Sequence, residues 1–286
     1  MRFFGRYKNN KINSYIKLET WLENWYEKYK VPNLSESSCK GIRICLDKYI
    51  IPVIGKKILT KLTTDNIQEC INKIKFPRQK ETSKNIINNA LNQAVTNKLI
   101  KENPCEHVIC PKAKNKKTII LSHKQQKTLL KEISNTELYN PIICYLYTGC
   151  RRNELLNLRK NDIDLENKLI KINGTKTNSS IRIIPIFNQI INIISKLYHE
   201  KKDYLFDIKP DPLNRQFRKI CDKLNLYDVT IHSLRHTFAT NCFEKGIDIK
   251  TVQQWLGHSN YQITANIYTH LTTEFMLKEI EKMNNS

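Results

Sequence analysis

DIDLENKLIKINGTKTNSSIRIIPI, residues 162–186, decides the fold. It holds three short β-branched runs, parted by a Glu-Asn-Lys turn and a Gly-Thr-Lys-Thr-Asn-Ser turn, so it predicts a three-stranded antiparallel meander. Everything around it reads as helix. Upstream, SHKQQKTLLKEI starts a helix with Ser122 as cap, and ELYNPIICYLYTG is apolar enough to be a core helix. Downstream, helical patterns return at NQIINIISKLY, PLNRQFRKICDKL, HSLRHTFATNCFEKG and KTVQQWLG, and around TANIYTH. The expected unit is thus an α-helical domain, residues 119–271, carrying a small β-meander.

A second helical pattern covers residues 17–104. YIKLETWLENWYEKYK sets Leu18, Trp21, Leu22 and Trp25 on one face. SSCKGIRICLDKYIIPVIG is expected to stop at its proline and glycine. LTTDNIQECINKIK opens on the capping residues Thr63, Thr64 and Asp65, and SKNIINNALNQAVTNKLIKENP is expected to close at Pro104. Residues 1–16 form a basic extension. Residues 105–118, CEHVICPKAKNKKT, are irregular and lysine-rich and read as a linker suited to phosphates. Residues 272–286 are a tail with apolar side chains at helical spacing. The fold class is mainly α.

Composition narrows the partners. In 286 residues, 48 Lys and Arg face 27 Asp and Glu, a formal net charge of +21 spread along the chain. Such a field suits a polyanion, and DNA above all. No run approaches the roughly 20 apolar residues needed to span a bilayer, and the N-terminus lacks the apolar stretch of a secretion signal, so a cytoplasmic, nucleoid-associated protein is expected. The nine cysteines include no C-x-x-C pair, which argues against both a disulfide framework and a zinc site.

Five stretches could carry chemistry. In TGCRRNELLNL, Arg151 opens a helix with Glu154 three residues on; a carboxylate there can fix the guanidinium fork, and the spacing selects Arg151 over Arg152. In TKTNSSIRIIPI, Lys176 lies in the turn between the second and third strands. In HSLRHTFAT, His232 and Arg235 share a helical face. In WLGHS, His258 follows a glycine that ends a helix. In TANIYTHL, Tyr268 is the fifth candidate. Taken singly, each is equally readable as an ordinary surface or packing residue.

In this order the five resemble the tyrosine recombinases, or phage integrase family. The family patterns T-G-x-R-x-x-E-L, a hairpin lysine, H-x-x-R, L-G-H-S and a tyrosine followed by Thr-His appear at 148–155, 176, 232–235, 256–259 and 268–270. Residues 17–104 look like the family's SAM-like core-binding domain. Lys160 stands where many relatives have tryptophan, a departure that concerns local packing, and Tyr261 is a rival nucleophile without the family's neighbours.

The resemblance implies a site-specific recombinase that cleaves and rejoins strands through a 3′-phosphotyrosyl link, with no ATP, cofactor or metal. Tyr268 would be the nucleophile and His232 its proton acceptor. Lys176 would be the acid for the departing 5′ oxygen. Arg151, Arg235 and His258 would hold the phosphate oxygens, and Glu154 would orient an arginine. Double-stranded DNA at two recombination sites and three further copies of the chain, a tetramer on DNA, are the implied partners, with room for accessory DNA-bending proteins; the tail would pack either on a neighbouring protomer or on its own domain. Two other readings stay open: a type IB topoisomerase, and a helix-turn-helix regulator without catalysis.

Overall fold

The structure, a computed structural model, describes residues 15–112, 118–174 and 181–257. Lys176, His258, Tyr261, Tyr268, the tail and residues 1–14 of the basic extension lie outside them. The described chain forms two compact units, one on each side of residues 113–117.

The first unit is helical throughout. α1 (Leu18–Trp25) buries Leu18, Trp21, Leu22 and Trp25, as its spacing predicts, and Trp21 donates its ring N–H to the Ala90 carbonyl at 3.0 Å. α2 (Glu36–Cys45) and α3 (Ile51–Ile54) are joined by a π turn, Leu46–Ile50, and a matching π turn, Tyr26–Lys30, follows α1. Each π turn precedes a proline by two residues, Pro32 and Pro52. A proline ring collides with the carbonyl four residues back and has no N–H to donate; a widened turn relieves both conflicts. The second helix therefore passes Pro52 and ends at Gly55, the later of the two expected stop residues.

α4 (Thr64–Asn72) is capped by the Thr63 side chain, which accepts the Asn66 N–H. α5 (Pro77–Thr96) departs from expectation at both ends. It begins six residues before Ser83 because Pro77 occupies its first turn, where no N–H is needed. It ends eight residues before Pro104: Lys98 turns left-handed (φ +57°), and the Leu99 N–H reaches back to the Ala94 carbonyl at 2.9 Å. Beyond it, buried Asn103 donates to the side chains of Asn88 and Asn92 and accepts the Cys105 N–H, folding the chain back over α5. Cys105 and Val108, expected in the linker, are buried in this core.

The second unit is built round α7 (Tyr139–Thr148), whose side chains are nearly all buried. α6 (His123–Ile133) precedes it, capped by Ser122 in a reciprocal box with Gln125. α8 (Arg152–Leu156) follows it. The sheet then runs β1 (Ile163–Asp164), β2 (Leu169–Ile172), β3 (Arg182–Pro185), antiparallel in that order, with Ile163 opposite Ile170 and Ile172 opposite Arg182. This is the predicted meander. α9 (Asn188–Glu200), α10 (Pro210–Lys223), α11 (Ile231–Glu244) and α12 (Ile249–Leu256) complete the described residues. Lys160 sets its ammonium 4.8 Å over the Tyr198 ring. Among the described residues no helix is long and apolar enough to cross a membrane.

Candidate active site

The site begins at the end of α7. Gly149 takes φ +60°, and a Cβ on it would meet Phe238 at 2.4 Å and Leu256 at 2.7 Å, so both the turn and the closeness of α11 and α12 require glycine. The turn delivers Arg151 as the residue that caps α8. Glu154, one turn into α8, accepts the Arg151 backbone N–H and its Nη1, both at 2.8 Å. Arg151 also sends Nη2 to the Gly257 carbonyl at 3.0 Å. Its side chain remains 44% exposed while Glu154 is 5% exposed, so a buried carboxylate steers a guanidinium that solvent can reach.

Arg235 enters from α11 and is buried. Its Nη1 donates to the Gly149 carbonyl and its Nη2 to the Leu256 carbonyl, each at 2.7 Å. The same group thus ties the turn after α7 to the end of α12. Burial, followed by the neighbouring charges of Arg151 and Arg182, lowers its pKa to about 9, which leaves it charged at neutral pH. His232 lies one turn earlier on α11, edge-on to His236 with 4.7 Å between ring centroids. Its pKa is lowered by desolvation and then by Arg235 and Arg151, so the neutral, proton-accepting ring is favoured. A cleft of about 300 Å³ beside it is lined by Cys150, Arg152, Asn214, Thr230, Ile231 and His232.

A residue absent from the sequence reading stands here as well. Arg182, on β3, is buried and grips Glu154 with both ends of its fork: Nη2 to Oε2 at 2.8 Å and Nη1 to Oε1 at 3.2 Å. Its Nε donates to the Trp255 carbonyl at 2.5 Å. Burial alone would raise the Glu154 carboxyl, but Arg182 and then Arg151 outweigh it and hold the pKa at about 2. A signal for Arg182 exists in the strand alternation of IRIIPI. Period two puts residue 182 on the side of Ile184 and Ile186, which are buried, and leaves Ile181 and Ile183 outside. An arginine on a core-facing side must find buried acceptors, whether a carboxylate or backbone carbonyls.

Arg151 and Arg182 therefore bond one carboxylate, Glu154, while Arg235 lies near enough to feel its charge, and the excess positive charge has an open side at Arg151. That arrangement can receive a phosphate diester and stabilise added charge on its oxygens. Of the residues expected in the site, the structure brings together Arg151, Glu154, His232 and Arg235. The chain leaving Gly257 leads to His258, and the segment between β2 and β3 contains Lys176; these two and Tyr268 lie outside the described residues.

A helical unit followed along the chain by a helical unit with a three-stranded meander is the fold shared with solved tyrosine recombinase integrases. The chain belongs to the phage integrase family: the model of that family matches residues 119–274, and the model of its N-terminal SAM-like domain matches residues 17–75. It is 36% identical over 178 residues to the tyrosine recombinase XerA of Saccharolobus solfataricus, a match covering 62% of this chain and 60% of that one. In fold it is similar to the Tn1549 transposon integrase solved with a circular intermediate DNA, at TM-score 0.79 and 19% identity over 93% of this chain and 99% of that one. It is also similar to lambda integrase in a tetramer bound to a Holliday junction, at TM-score 0.77 and 16% identity over 89% of this chain and 78% of that one.

Proposed function

We propose that the chain is a site-specific DNA recombinase that breaks and rejoins strands through a 3′-phosphotyrosyl intermediate. The observation that carries this reading is the meeting of Arg151 and Arg235, 84 positions apart in sequence, at the turn after α7, with Glu154 bonded to Arg151 and Arg182 beside them. Family membership supports it and does not favour the topoisomerase or the non-catalytic regulator.

In the reaction, the Tyr268 hydroxyl oxygen forms a bond to phosphorus as the bond from phosphorus to the 5′ oxygen breaks. The phenol proton passes to His232, and the 5′ oxygen takes a proton from Lys176. A free phenol, with its pKa near 10, is about one part in a thousand ionised at pH 7, so a neutral His232 is suited to this task. Arg151, Arg235 and His258 hold the non-bridging oxygens. A 5′ hydroxyl from a second duplex then attacks the phosphotyrosine, releases Tyr268 and seals the new strand. The bond energy is conserved in the intermediate, so no nucleotide is consumed.

The partners proposed are two DNA duplexes and three further copies of the chain, with the tail 272–286 on a neighbouring protomer; truncation after His270 should then abolish assembly on DNA while leaving binding to one duplex. The proposed place of action is the cytoplasm, and the proposed setting a mobile element. The decisive experiment incubates the chain with nicked duplexes enriched for binding from a random pool. A protein-DNA species that survives denaturation, forms without ATP or metal and disappears in Tyr268→Phe is expected. Equal yields from Tyr268→Phe would defeat the assignment.

A further inference from the structure

Arg182 shares a stretch with Lys176 but matches none of the motif positions set out above, yet among the described residues it makes three separate grips. Its fork holds both oxygens of Glu154, with side chains 6% and 5% exposed. Its Nε holds the Trp255 carbonyl at the end of α12. Its stem lies on Gly257, where a Cβ would come within 3.0 Å of Arg182 Cδ and the backbone is left-handed at φ +65°.

Those grips meet at Arg151. Glu154 holds the Arg151 main chain and Nη1, and the Gly257 carbonyl receives Arg151 Nη2. Both anchors of the exposed guanidinium are therefore themselves anchored by Arg182. The guanidinium of Arg182 is buried and occupied on its Nε and both Nη atoms by protein acceptors, so it acts on a substrate only through its neighbours.

We propose that Arg182 is a positioning residue for strand cleavage: it locks Glu154 to the Trp255–Gly257 turn so that Arg151 presents its fork to the scissile phosphate in one orientation. This rests on the recombinase reading above. Without Arg182, Glu154 keeps only Arg151, and the end of α12 loses a charged donor. Small misplacement of a phosphate-binding group can slow a reaction about 100-fold while binding of the rest of the substrate persists.

The test uses the full chain, Arg182→Met and Arg182→Lys, on a nicked duplex and on the same duplex with a methylphosphonate at the scissile position. The methyl group removes the negative charge that Arg151 would hold. Both variants are expected to bind duplex as tightly as the unchanged chain. Single-turnover formation of the covalent species should fall about 100-fold in Arg182→Met and less in Arg182→Lys, which keeps the charge but not the fork. On methylphosphonate the deficit should shrink several-fold, because the oriented arginine has less to do. Should Arg182→Met fail to melt cooperatively, Arg182→Lys alone decides by the same ratio. Equal deficits on the two substrates, or no deficit on either, overturn the inference and leave the recombinase reading in place. No covalent species from the unchanged chain would overturn both.

Discussion

At Gly149 two requirements fall on one residue. The backbone is left-handed, and the space a methyl group would fill is taken by Phe238 and Leu256. Gly149→Ala is therefore expected to lose on the order of 2–3 kcal/mol of stability in urea unfolding, the combined effect of backbone strain and overpacking. Glu154 is governed by charge. Its folded pKa of about 2 lies below the ordinary value of 4.5, so its contribution is fully present above about pH 4.5 and is lost as pH falls toward 2. Glu154→Gln, which leaves Arg182 without an anion, should destabilise the chain by about 3 kcal/mol or more at pH 7. The difference between variant and unchanged chain should narrow across that acid range, as followed by thermal melting. The turn and the pairing of Arg151 with Glu154 were legible in the order Thr-Gly-x-Arg-x-x-Glu. For Arg182 only its core-facing place was legible in the strand alternation; its partner was not, because that lies 28 positions away on another element.

Two helix starts were legible from the side chain that makes the cap. Thr63 and Ser122 were both readable as starts, since each bonds a backbone N–H three residues on. Of the expected stops, Gly55 ends its helix while Pro52, carried in the first turn of α3 after a π turn, does not, and Pro104 lies well past a helix that Lys98 ends in a conformation usually left to glycine. α12 matters most to the site, because the carbonyls at its end receive Arg182 and Arg235. Asp248 caps its start by accepting the Thr251 N–H at 3.0 Å. Asp248→Ala should lower stability by about 1 kcal/mol in denaturant unfolding. It should also slow covalent-complex formation, though less than Arg182→Met, since the far end of the helix keeps both arginine bonds.

Over the whole molecule the excess of +21 belongs to the proposed partner. If duplex DNA is bound through phosphates, the logarithm of affinity should fall with the logarithm of salt at a slope steeper than about −5, readable by fluorescence anisotropy at several salt concentrations. A shallow slope would count against the phosphate contacts. Among the described residues the apolar clusters stay within the units, one in the first and two in the second, as two blocks of amphipathic helix that the periodicity already divides would require. The sequence by itself determined that division, the helical class, the meander and the order of the reactive motifs, because periodicity, caps and spacing act within a few residues. Only the tertiary structure decided the convergence: Arg151 with Gly257 across 106 positions, Arg235 with Gly149 across 86, and Arg182 with Glu154. A guanidinium becomes an orienting group when folding removes water and leaves it a fixed acceptor, and no local stretch specifies which acceptor that is.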